Sequence, residues 1–204
     1  MLRIDSQTYS PENDDNHYKT QIAKTQIILA TSLRKDGNHI IRLQNKDYHK
    51  TKKWNTFTVS RTGEIYQHFD PKYHSDFLGD KEADKKSISI VLENMGALFV
   101  APNNKYINWL NEVCEPQNIE EKEWRGYNYW EKFTEEQIEN TALLCRRLCD
   151  DFGILRTCIE FHDYHKDTQK FRGIVFRSNY IEDSSDINPL FNISKFNEML
   201  QKEL

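Results

Sequence analysis

The sequence predicts an α/β (α+β) fold, a central mixed β-sheet flanked by helices, built as a single domain over residues 1–204. Three observations predict it. QIILA (26–30) and SISIVLE (87–93) are short, almost continuous apolar runs of the kind that fill central strands. TFTVS and EIYQHF alternate on either side of an Arg-Thr-Gly turn, which is the pattern of a hairpin. The segment 133–154 repeats apolar residues at helical spacing and ends in glycine.

Taken in order, residues 1–17 read as a polar N-terminal arm with a short strand near its start. The first buried strand follows within 22–32, then a turn at Asp36-Gly37 and a short apolar segment. The hairpin has Gly63 at its left-handed turn position, and the strand over 86–94 is central. Residues 104–133 form an acidic, Trp-rich insertion of short helices packed by Trp109, Trp124 and Trp130. Helix 133–154 starts on a Thr134/Gln137 capping box, with Glu135 and Glu136 in its first turn, and stops at Gly153. RTCIEFH (156–162) reads as a strand that delivers His162 at its end, IVFRSNY as a short extended piece. A closing helix covers 193–204, with Ser194 as its cap. No linker rich in Pro, Gly or Ser divides the chain.

Apolar residues make up only 37% of the chain, but 11 Phe, 10 Tyr and 4 Trp supply bulky anchors, so an aromatic core lies under a very polar surface. The net charge of -4 decides little by itself. Residues 18–61 are strongly basic and 111–151 strongly acidic. The basic stretch is either a solvated face or a surface that steers an anionic polymer, and nucleic acid is the less favoured partner. Cysteines 114, 145, 149 and 158 show no CxxC or finger spacing, which points to buried free thiols in a reducing compartment. MLRIDSQTYSPENDD lacks an apolar signal core and no apolar run has membrane length. The expectation is a chain that is cytoplasmic as synthesised, reaching a cell wall by lysis or specialised secretion, with no membrane partner.

The residues leave the chemistry open. His162 is either a hydrogen-bonded loop histidine or a metal ligand held by a rigid strand end. Asp186, three residues before Pro189, is either a turn residue or its partner ligand. His74, in DPKYHSDFLG, is a candidate for binding a substrate oxygen or for acid–base work. GxSxG, GxGxxG, HExxH and phosphate-loop patterns are absent from the sequence.

The blocks QIILATS, WNTFTVSRTGEIYQHFDPKYHSDFLG, SISIVLEN, FTEEQIENTALLCRRLC, FHDYH and DINPLF, in this order, resemble the zinc-dependent N-acetylmuramoyl-L-alanine amidases and peptidoglycan recognition proteins, including the bacteriophage lysozyme-type amidases. The resemblance implies a groove for muropeptide or peptidoglycan. It also implies a zinc ion that polarises the muramoyl–L-alanine amide and activates water. It places the second zinc ligand, a histidine at the end of the strand after the long helix, on His162, and the third on Asp186. His74 falls on a substrate-facing position, Asn55 on that of the catalytic tyrosine, with Trp54 beside it, and Glu93 on a central acid. Thr31 joins the substrate-binding set. Lys170, Arg172 and Arg177 are the candidates for a basic helper, and Lys170 is the one carried into the catalytic set. The first ligand position holds Ala30, which cannot bind a metal. Two functions therefore stand: an amidase with a rebuilt zinc site, or a degenerate module that binds muropeptide or another partner without hydrolysis.

Overall fold

The computed structural model describes residues 2–11, 14–45, 51–102 and 104–202. Its centre is a six-stranded mixed sheet in the order Ile4–Asp5 (β1), Ile65–Gln67 (β4), Phe57–Val59 (β3), Ser87–Leu92 (β5), Gln26–Thr31 (β2) and Gly173–Phe176 (β11). β2 (Gln26–Thr31) and β5 (Ser87–Leu92) pair in parallel along six rows and are buried on both faces, as their unbroken apolar character requires. β3 (Phe57–Val59) joins β5 in parallel and returns through an antiparallel β4 (Ile65–Gln67). Gly63 takes φ +82° in the turn between them. β11 (Gly173–Phe176) closes the other side, parallel to β2.

α3 (Glu135–Phe152) packs on this sheet through Ala142, Leu144, Cys145, Leu148 and Cys149. Thr134 caps its start by accepting from the Gln137 amide, and Gly153 ends it at φ +65°. The side-chain amide of Gln137 donates to the carbonyls of Val59 and Glu93, tying the ends of β3 and β5 to the helix. α4 (Ile193–Gln201) packs against α3, with Phe196 and Leu200 fully buried. Two short helices, α1 (Asn38–Leu43) and α2 (Lys81–Lys86), precede β3 and β5. None of the described helices is long and apolar enough to cross a membrane.

The short strand expected near the start of the N-terminal arm forms: β1 (Ile4–Asp5) pairs in parallel with β4. Three local expectations change. The Trp-rich region is built mainly of strands, with a 3₁₀ turn at Pro116–Asn118. β6 (Ala97–Val100), β7 (Tyr106–Ile107), β8 (Val113–Cys114), β9 (Ile119–Trp124) and β10 (Tyr127–Glu131) form a second, antiparallel sheet ordered β8-β7-β6-β10-β9. Trp130 is its buried anchor, Trp124 is half-buried and Trp109 lies exposed, its N–H donating to the Leu33 carbonyl. The strand expected over 156–162 reduces to a single parallel bridge, Cys158 with Ile174, and the strand that follows the long helix is β11. The last helix is capped by Asn192 rather than Ser194, and residues 203–204 of its expected span lie outside the described residues. All four cysteines are free and buried, as expected.

Candidate functional site

In open sheets of this kind, ligands sit beyond the carboxyl ends of the parallel strands. Here those ends bring together Thr31 on β2, Glu93 after β5, and Arg177 immediately after β11. Asp186 reaches the same place from a loop, and its carboxyl group is wholly buried. Its Oδ1 accepts from the Thr31 hydroxyl at 2.7 Å and from the Thr31 backbone N–H. Its Oδ2 has no hydrogen-bond partner and faces the Arg177 guanidinium, Nη1 at 3.8 Å. Burial raises the carboxyl pKa, while Arg177 and the Thr31 donors oppose that rise. Arg177 is about a third exposed and lies over the ring of Phe77, 5.5 Å from its centroid.

The second sheet holds this loop in position. Arg125, in the β9–β10 turn at φ +50°, donates to the carbonyls of Glu182 and Ser184. Lys122 donates to the Pro189 carbonyl at 2.7 Å. The Asn188 amide donates to Asn94 Oδ1 and to the Glu131 carbonyl. Residues on both sides of Asp186 are thus anchored to the Trp-rich region.

His162 comes to the same end of the sheet but behind Phe176, on which its ring stacks at 5.2 Å and 12°. Trp124 meets it edge-on at 5.9 Å. Burial, with Lys122 nearby, lowers the His162 pKa to about 4. It lines a cavity of about 630 Å³ with Trp124, Lys122, Phe191 and the 189–194 turn, and Asp186 is not among the lining residues.

Strand register sends the other expected residues to the opposite end. Asn55 precedes β3, whose Phe57 pairs with Ile90, while Thr31 pairs with Leu92 at the far end of β5. Asn55 is buried and fully engaged, with His39 Nε2 at 3.0 Å, the Phe57 carbonyl at 2.6 Å and Thr58 Oγ1 at 2.8 Å. Trp54 is a core residue packed with Leu43 and Phe69. His74 follows β4 and bridges to Tyr18, its ring stacked on the Tyr18 ring at 5.0 Å. Lys24, just before β2, donates to the carbonyl of its neighbour Tyr73. Lys170 precedes β11, is exposed, and pairs with Asp167 at 2.7 Å. Of the three candidate basic helpers, Arg177 is the one that meets Asp186. Its signal in the sequence is its place directly after the apolar run GIVF, the true strand following the long helix.

The zinc ion implied by the resemblance does not fit these residues. Catalytic zinc needs three convergent ligands. Among the described residues no group of three or more His, Cys, Asp or Glu is placed to hold a metal. The strand ends flanking Asp186 offer Ala30, Thr31 and Arg177, and a guanidinium repels a cation. Glu93 is structural: it is buried, accepts from the Gly37 N–H at 2.9 Å, and has its pKa raised to about 8 by burial and by Asp36.

No curated protein matches the chain. Among solved structures, the N-acetylmuramoyl-L-alanine amidase LysC from Clostridium intestinale URNW is similar over 100% of both chains, at 11% identity and a TM-score of 0.60. A mutant endolysin from Bacillus subtilis is similar over 98% of this chain and 99% of its own, at 15% identity and a TM-score of 0.58. AmiD from E. coli, solved with anhydro-N-acetylmuramic acid-L-Ala-D-gamma-Glu-L-Lys, is similar over 89% of this chain and 59% of its own, at 13% identity and a TM-score of 0.58. These likenesses establish a shared fold. The family model for N-acetylmuramoyl-L-alanine amidases, Amidase_2, matches residues 17–171, a span that ends before Arg177 and Asp186. That span is most of the sequence, and the chain belongs to the N-acetylmuramoyl-L-alanine amidase family.

Proposed function

We propose that this chain is a catalytically degenerate member of its family, one that binds muropeptide or a related peptide at the carboxyl ends of β2, β5 and β11 without hydrolysing it. One observation carries the reading: the buried carboxylate of Asp186 is held by Thr31 and faced by Arg177. A firmly bound zinc lowers the pKa of its water to about 7, and a carboxylate held by a hydroxyl and faced by a guanidinium is poorly placed to hold such an ion. The cavity beside the site suits binding, since Trp124, His162 and Phe191 give it aromatic walls and Lys122 a cation.

Hydrolysis of the muramoyl–L-alanine amide is the second reading. The observation in its favour is that His162 Nδ1 and Asp186 Oδ2 are both buried without a hydrogen-bond partner.

Zinc content, turnover and binding on defined muropeptides separate the two. The expected result is less than about 0.1 zinc per purified chain, where a catalytic site would hold one. No stem peptide is released, and saturable muropeptide binding weakens at least about tenfold in Trp124→Ala. Stoichiometric zinc, with turnover that Asp186→Asn abolishes, would replace binding by hydrolysis.

A further inference from the structure

A larger cavity, about 1010 Å³, lies at the opposite edge of the central sheet, between β1, the β3–β4 hairpin and α3. It shares no lining residue with the cavity beside His162. Four carboxylates line it, and each is already engaged. Asp5 accepts from the amides of Gln7 and Thr8, and Glu64 from the hydroxyls of Thr62 and Tyr66. Asp150 pairs with Arg156, and Asp151 with Arg147 at 3.6 Å.

Arg146 differs from them. It lines the same cavity from α3, is only 7% exposed, and makes no hydrogen bond or ion pair with any described residue. A guanidinium on a largely covered side chain, with no partner among the described residues and open only to the cavity, is free to pair with an oxyanion brought from outside. The fork of five N–H donors suits a carboxylate or phosphate in bidentate contact. The apolar part of the wall is formed by Leu2, Ile65, Leu143 and the edge-to-face pair Tyr9–Tyr66, with centroids 4.8 Å apart. The volume is at the upper end of small-molecule sites, roughly 300–1,000 Å³. It exceeds what a bare anion fills.

We propose that this cavity is a binding site for a small amphipathic anion, with an oxyanion head received by Arg146 and an apolar body laid against Tyr9, Leu143 and Leu2. The site is independent of the cavity beside His162, so either assignment fails without the other.

The test is amide NMR on the full, ¹⁵N-labelled chain titrated with phenyl phosphate, hexanoate and inorganic phosphate. Saturable shifts with phenyl phosphate or hexanoate, centred on Tyr9, Gly63, Leu143 and Arg146, are expected, and which of the two binds more tightly identifies the head group. Arg146→Met raises the dissociation constant at least about tenfold, the scale of a lost charge-assisted pair. Lys170→Ala, at a surface far from the cavity, leaves it unchanged. Leu143→Glu serves if Arg146→Met does not fold: it places a carboxylate one turn from Arg146 on the same helix face, and it competes with the ligand while raising the melting temperature. The absence of saturable shifts overturns the proposal. So do equal affinity for inorganic phosphate, and binding indifferent to both Arg146→Met and Leu143→Glu.

Discussion

The guanidinium of Arg177 stands 3.8 Å from the buried Oδ2 of Asp186, at the carboxyl end of the strand that follows the long helix. The pair is asymmetric: the carboxylate is wholly buried, the arginine about a third exposed. Removing the arginine leaves a buried charge facing only the Thr31 donors. Arg177→Met is expected to cost about 1–3 kcal/mol, less than a fully buried pair because solvent screens the guanidinium. Asp186→Asn keeps an acceptor for Thr31 and removes the charge, so the double variant recovers at least half of the loss. Urea unfolding of the four-member cycle measures this, and additive losses would show that the two groups do not interact.

Glu93 gives the stability a signed dependence on pH. Its folded pKa, about 8, lies above that of an unfolded glutamate, so the folded state holds the proton longer. The associated stability is fully present below the unfolded value and is lost as pH rises through about 8. Glu93→Gln keeps an acceptor for Gly37 and does not ionise. Thermal melts at pH 4 and pH 9 should therefore diverge, with the variant close to wild type at pH 4 and about 1–3 kcal/mol more stable at pH 9. A constant difference across that range would mean that Glu93 ionises normally.

The hairpin turn is seated against α3. A Cβ added to Gly63 would lie 2.6 Å from Asn140 Nδ2 and 2.9 Å from the Glu136 carbonyl, on a residue already at φ +82°. Gly63→Ala should lower stability by about 2–3 kcal/mol, from backbone strain and displacement of the helix contact together. Equilibrium unfolding of this single variant is sufficient, and a neutral result would detach the turn from the helix.

The cysteines should be silent towards thiol reagents in the native protein. Cys114 and Cys149 are pushed up to about 12 by burial, and Cys145 and Cys158 are raised by burial as well. Ellman's reagent is expected to titrate fewer than one thiol per native chain and all four after denaturation. Rapid reaction of a thiol under native conditions would expose an opening that the fold does not show.

Much of the frame was legible because its signals are local. QIILA and SISIVLE declare buried strands by their lack of polar interruption, and Thr134 and Gly153 mark the helix by cap chemistry. The Trp-rich region was not, because β9 reads IEEKEW and exposes charge on both faces, so it has no period-two apolar signal. The site was legible in part. Thr31 and Asp186 were both candidates, and their contact is set by the fold; RTCIEFH carries the same β-branched and aromatic residues as a strand, which masks the strand end at Arg177. Parallel register decided which end each side chain reached. Nothing local in Asn55, His74 or Lys170 reports that their strands place them away from Asp186.

The outermost strand of the second sheet bears on how copies of this chain meet. β9 presents Glu120, Glu121, Lys122 and Glu123 in succession along an edge whose far side has no neighbouring strand among the described residues. A second molecule docking there in antiparallel fashion would have to bring like carboxylates face to face in water-poor surroundings. Ribbon-to-ribbon growth is therefore discouraged at the rim most open to it, and neutralising those glutamates would turn a solubilising border into an adhesive one.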